Sequence, residues 1–170
     1  MFSSAATNDA NTFAAGTVTL GDDDGGAAML ALTNAKPDDA DTSCIRVAYS
    51  GSLASSVRLY GTTTGTGLDA YLTLTVTRGI GPVSTFGDCA QFSPDATDYL
   101  GAGNGVIYSG TLQAFPDDYA AGLVDPLAAS PETWTAGEVH VYKFVATLAN
   151  DDAAQGKNAT QTLIWEARNL

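Results

Sequence analysis

Short apolar–polar alternations, cut every few residues by Gly, Pro, Asp or Ser, run through this chain and set its fold class. From Thr42 to Tyr49, Ile45, Val47 and Tyr49 fall on one face and Cys44, Arg46 and Ala48 on the other, the period of two that belongs to a strand. Leu72, Leu74 and Val76 alternate with Tyr71, Thr73 and Thr75, and Val139, Val141 and Val145 oppose Tyr142 and Phe144. Leu163 and Trp165 share the inward face of a final strand over 160–167. Shorter strands are expected at Thr17–Leu20, at Met29–Leu32, around Val57 and Leu59, and over Val106–Phe115. Turns are expected at 22–26, 36–39, 50–52 and 151–152, and a loop over Gly61–Gly67. Residues 79–105 read as a long excursion, and 116–131 as mostly loop with one helical turn near Tyr119. Composition agrees: there are 21 Thr and 18 Gly against three Lys and three Glu, which favours pleated surfaces and turns over helices. A helical bundle or coiled coil is excluded. The expectation is an all-β chain, a jelly-roll type β-sandwich of about eight or nine strands with little helix. Residues 1–15, small and polar apart from Phe2 and Phe13, form an N-terminal extension that needs a partner surface. Residues 16–170 form a single jelly-roll domain.

Hydrophobic residues make up 45% of the chain, too many for a disordered polymer. Nineteen acidic side chains against seven basic ones leave a formal charge of −12. No basic footprint exists for nucleic acid, and an anionic membrane surface would repel the chain. No run of 18 apolar residues is present, so no helical span is expected. The start, Met1-Phe2-Ser3-Ser4-Ala5-Ala6, has neither a basic segment nor a long apolar one. It fits a cytosolic protein or a mature secreted one. Cys44 and Cys89 either pair or stay as two buried thiols. Paired, they close a loop of about 45 residues, which the chain-entropy model values at roughly 4 kcal/mol. The shortage of Lys and the wealth of Thr, Ser and Asp favour export, and with it the disulfide.

The search for reactive chemistry excludes more than it finds. His140 is the one histidine, and a lone strand histidine is expected at a surface or interface. There is no H-E-x-x-H and no G-x-S-x-G, and Gly101-Ala102-Gly103-Asn104-Gly105 lacks the pattern of a phosphate loop. Glu132, Glu138 and Glu166 are too scattered to single out as a carboxylate pair. The acidic turns (Asp22-Asp23-Asp24, Asp38-Asp39 with Asp41, Asp117-Asp118, Asp151-Asp152) offer hard oxygens for calcium, but none has EF-hand spacing, and solvated loops are expected. Trp134, Tyr60 and Tyr99 are candidate sugar platforms, but the core is expected to need most of the aromatics. Asn158-Ala159-Thr160 matches a glycosylation sequon. No catalytic residue, metal site or cofactor is expected, and the chain is read as no enzyme.

A set of short motifs is more specific. Phe2-Ser3-Ser4 is followed by Asn11-Thr12-Phe13-Ala14-Ala15-Gly16-Thr17-Val18-Thr19-Leu20, Asn34-Ala35-Lys36-Pro37-Asp38-Asp39 and Tyr49-Ser50-Gly51-Ser52-Leu53. Gln155-Gly156-Lys157-Asn158 and Trp165-Glu166-Ala167 come late. In this order they resemble the TasA/camelysin family of exported biofilm-matrix proteins, whose pattern usually has Gly at the position of Asp38. The resemblance implies export by a cleaved leader, a jelly-roll subunit and polymerisation into extracellular fibres. It implies a donor strand, here Met1, Phe2, Ser3, Ser4, Ala5, Ala6, Thr7 and Asn8, that completes the sheet of the next subunit. The partner is then a second copy of the chain, bound head to tail, with an accessory or anchoring matrix protein as a further partner. The peptidase label attached to camelysin finds no metal-binding motif here. The alternative is a secreted carbohydrate- or protein-binding β-sandwich module.

Overall fold

In a computed structural model, residues 15–82, 85–124, 126–127 and 130–170 are described; the expected donor segment, Met1 to Asn8, lies outside them. The described chain is all-β, with two antiparallel sheets and only three short 3-10 turns. The strands are β1 (Leu20–Asp22), β2 (Ala40–Tyr49), β3 (Ser55–Gly65), β4 (Leu72–Ile80), β5 (Ser93–Pro94), β6 (Val106–Thr111), β7 (Leu123–Val124), β8 (Pro126–Leu127), β9 (Ser130–Pro131), β10 (Thr133–Trp134), β11 (Val139–Leu148) and β12 (Ala159–Asn169). Twelve strands among the described residues exceed the eight or nine expected because five of them are two residues long. One sheet runs β1-β2-β11-β4, with β6 and β5 sharing the far edge of β4. The other runs β3-β12, with β10 and β7 on the opposite side of β3. β8 and β9 pair with each other.

The alternation seen in the sequence decides which side chains meet. Ile45, Val47 and Tyr49 from β2, Leu72, Leu74 and Val76 from β4, and Tyr142 and Phe144 from β11 are buried on one inner face. Val57 and Leu59 from β3 and Trp134 from β10 are buried against them, and Leu163 and Trp165 from β12 pack on the same cluster. Burying each large side chain contributes about 1.5–3 kcal/mol. On the outer face of the first sheet, Cys44 and Val141 form a second buried pair packed by Cys89 and Phe92. Cys44 and Cys89 are disulfide-bonded, with Cα atoms 5.3 Å apart. The bond holds the loop after β4 on that face, where Gly87 N–H also donates to the Cys44 carbonyl at 2.9 Å.

Several segments depart from their sequence pattern, and Thr17 to Thr19, expected in a strand, lie outside β1. Gly61 to Gly65, read as a loop, continues β3, and Thr62 to Thr64 lie opposite Thr160 to Thr162 of β12. The long cross-strand ladder outweighs the local preference of Gly for turns, and Gly61 is required there because a Cβ would lie 2.5 Å from the Thr162 carbonyl oxygen. Conversely, Met29 to Leu32 form no strand. Their backbone is held by a side chain instead: Ala31 N–H donates to Asp41 Oδ2 at 2.6 Å. The single helical turn expected near Tyr119 is a non-helical turn. At the 36–39 turn, Asp38 sits at φ 68°, a region that Asp tolerates and Gly prefers.

The 49–53 corner shows why a glycine is needed at one motif position. The Tyr49 hydroxyl contacts the Leu53 carbonyl and Ser55 Oγ, the latter at 2.7 Å. A Cβ on Gly51 would collide with that hydroxyl and lie 2.6 Å from the Thr17 carbonyl oxygen. Gly51→Ala is therefore expected to cost about 1–3 kcal/mol by overpacking, read as a lower urea midpoint. Gly21→Ala, where a Cβ meets nothing within 4 Å, should stay within about 0.5 kcal/mol of the parent.

Candidate functional site

The two edges on one side of the sandwich are finished differently. On the first sheet, β1 covers only Val47 to Tyr49 of β2. Beyond it the chain from Asp23 to Leu32 takes over with side-chain contacts: Arg46 N–H donates to Asp23 Oδ1 at 2.9 Å. On the second sheet, β12 pairs with β3 along all eleven residues, Ala159 to Asn169, and has no strand on its other side among the described residues. In an antiparallel edge strand about half of the backbone N–H and C=O groups point away from the neighbour. Here they do so over eleven residues.

A groove of about 620 Å³ lies beside that edge. Met29, Leu30 and Leu32 line one side, Leu163 and Trp165 the other, and the buried Ile45 and Leu74 reach its base. None of the residues of β12 is fully buried, although Leu163, Trp165 and Ala167 pack on the core. Trp165 Nε1 is buried and makes no hydrogen bond among the described residues, an unmet donor beside the groove. Asp22 and Asp24 line the same groove. Partial desolvation pushes the Asp22 carboxyl above its ordinary value of 3.8, against the Asp24 N–H that it accepts. The opposite face of β12 carries Glu166, held below its ordinary value by Arg168 and then by the Tyr60 hydroxyl, which donates to it at 2.7 Å.

Residue 15 onward enters at the neighbouring corner. Thr17 N–H donates to Ser52 Oγ at 2.9 Å, and the Thr17 and Thr19 carbonyls accept from Leu53 and Ser50. Asn169, at the far end of β12, lies opposite Ser55 at that same corner. Thr17 and the far end of β12 therefore meet at one corner of the body.

Other expected site residues move. His140, expected at a surface or interface, is buried in the body, with 5% exposure, and stacks on Trp134 with ring centroids 4.0 Å apart. The reason is register: His140 shares the inward face of β11 with Tyr142 and Phe144. Trp134, a candidate sugar platform, is fully buried in the core. Tyr60 and Tyr99 are half-buried, with hydroxyls engaged by Glu166 and Asp95. The acidic turns spend carboxylates on their own backbone, as when Asp151 Oδ1 accepts from Ala153 N–H at 2.8 Å. Asn158 is exposed. Glu132 and Glu138, scattered in sequence, meet at His140; the one local signal was the Glu138–His140 spacing of two, which puts both on one face of an extended segment. No helix among the described residues is long and apolar enough to cross a membrane. A comparison with protein-family models gave no match, and no curated protein matches the chain significantly.

Proposed function

We propose that this chain is the subunit of an extracellular protein filament, similar to the TasA/camelysin fibres, in which Met1 to Asn8 of one copy add a strand to β12 of the next. The observation that carries the reading is the eleven-residue edge of β12, unpaired among the described residues, beside an apolar groove. An extended peptide seated there satisfies the outward backbone groups, while alternate side chains enter the groove. Phe2 is the anchor, and Ala5 and Ala6 suit a narrow slot. Residues 1–12 reach about 40 Å at ~3.3 Å per residue, enough to follow β12 from end to end. Head-to-tail docking uses two different surfaces, so it propagates rather than closes. The jelly-roll topology and a cleaved leader belong to this reading. The Cys44–Cys89 bond supports an oxidising compartment. An accessory or anchoring matrix protein is a further partner.

Electron microscopy of the purified full chain tests it. Filaments one subunit wide are the expected result, and a chain that stays monomeric at every concentration and pH overturns the proposal. Acidity adds a second check. The charge of −12 opposes lateral contact, and Asp22 takes up a proton above its ordinary value of 3.8. Lowering the pH towards 4 is therefore expected to stabilise the body at Asp22 and to bundle the filaments. Below 3.8 the sign reverses at Asp95, which the Thr97 N–H holds below its ordinary value together with Tyr99 and Arg78. Its contribution is lost as pH falls through that lowered value. Light scattering and thermal unfolding across pH 7 to 3 read both; bundling indifferent to pH removes the electrostatic part.

A further inference from the structure

Away from the open edge, one cluster of charged and metal-ligating groups lacks a role in assembly. Glu132, Glu138 and His140 place one ligand atom each within 4.8 Å of one another. His140 Nε2 lies 3.2 Å from Glu138 Oε1, and Nδ1 lies 3.9 Å from Glu132 Oε2. Glu132 and Glu138 are largely sheltered, at 18% and 22% exposure. Arg78 also belongs to the cluster: its guanidinium bonds Asp95 Oδ2 at 2.6 Å and Glu132 Oε2 at 3.0 Å, and lies 3.4 Å from His140 Nδ1. The group borders a cavity of about 490 Å³ that also touches Arg46 and the solvent-exposed Ile80 and Val139.

We infer that Glu132, Glu138 and His140 form a binding site for a divalent transition ion, zinc above all. Ligand atoms at about 2.0–2.2 Å from a tetrahedral zinc stand about 3.3–3.5 Å apart, and Nε2 and Glu138 Oε1 are already 3.2 Å apart. Glu132 has to swing inward, which exchanges its Arg78 contact for the ion while Arg78 keeps Asp95. Charge favours the exchange. Among the described residues, Asp95, Glu132 and Glu138 against Arg78 leave two negative charges around His140, which a dication offsets, and Arg46 contributes one further positive charge at the cavity. An ion bound through Nε2 takes the place of the proton that this nitrogen shares with Glu138 Oε1, so binding releases a proton from the ring. One nitrogen and two carboxylates select zinc or its neighbours over calcium or magnesium, which take oxygen alone. A fourth position is left for water from the cavity. Trp134, stacked on the imidazole, shields one side of it and fixes the ring plane. The role is structural: the ion would clasp the segment before β10 to β11.

Cobalt(II) and zinc titrations of the full, disulfide-bonded chain test this. One cobalt per chain is expected, with the visible absorption of a four-coordinate site and quenching of Trp134 fluorescence, displaced by equimolar zinc. Glu132→Gln and Glu138→Gln should each weaken zinc binding at least tenfold, with unchanged circular dichroism. Asp117→Asn, in a remote acidic turn, should leave it unchanged. His140→Ala would empty a buried position stacked on Trp134, so the two glutamine variants decide the matter without it. Absence of saturable binding overturns the inference, as does binding that survives both glutamine variants. Filament assembly is scored separately and is not required for either result.

Discussion

Deleting residues 1–14 is expected to abolish filaments while leaving a folded, soluble body. In this reading the segment docks on the next subunit and not on its own core, so thermal unfolding of the truncated chain should stay close to that of the monomeric parent. Assembly loses everything the segment supplies. About five outward backbone pairs on β12 go unmet, each worth about 0.5–1.5 kcal/mol net when bonded, and the anchor Phe2, worth about 1.5–3 kcal/mol on burial, is gone. Even after ordering costs, the concentration needed for assembly should rise on the order of 100-fold or more. Ultracentrifugation and electron microscopy read this directly. A synthetic peptide of residues 1–14 should then bind the truncated body one to one and cap it. Filaments that persist after the deletion would rule out the donor segment and leave some other surface to account for them.

Removing the disulfide has the next largest expected effect, on stability rather than assembly. Cys44→Ala with Cys89→Ala releases a loop with a sequence separation of 45, worth about 4 kcal/mol in the chain-entropy model. Cys44 is completely buried between Val141 and the loop that carries Phe92, so the substitution also loosens the small outer cluster, including Lys143 over the Phe92 ring at 5.3 Å. A fall in Tm of roughly 8–16 °C follows for a chain of this size, and reduction of the parent chain should match it. A fall of under about 2 °C would mean that the loop is held by Phe92 and the Gly87 N–H alone.

The structure separates what local pattern can carry from what it cannot. Period-two runs such as Thr42–Tyr49 and Leu72–Val76 were legible because a strand with one buried face must alternate, wherever its neighbours come from. Gly61 to Gly65 and Met29 to Leu32 were misread for complementary reasons. The first is rich in turn formers but gains a full antiparallel ladder from residues 94 to 102 positions away; the second is a short apolar run that has Asp41, not a strand, as its partner. The outer pair at Cys44 lay on the polar side of its own pattern, and only the loop folding back after β4 shows why it is buried.

The order of residues alone was enough for the all-β class, the strand periodicity and the inward faces of the long strands, because alternation and turn chemistry are properties of neighbours along the chain. Which strand ends at an open edge, and that Glu132, Glu138 and His140 share one pocket, required the folded chain. Pairing partners and sheet order depend on contacts between distant segments, whose free energy no short stretch contains.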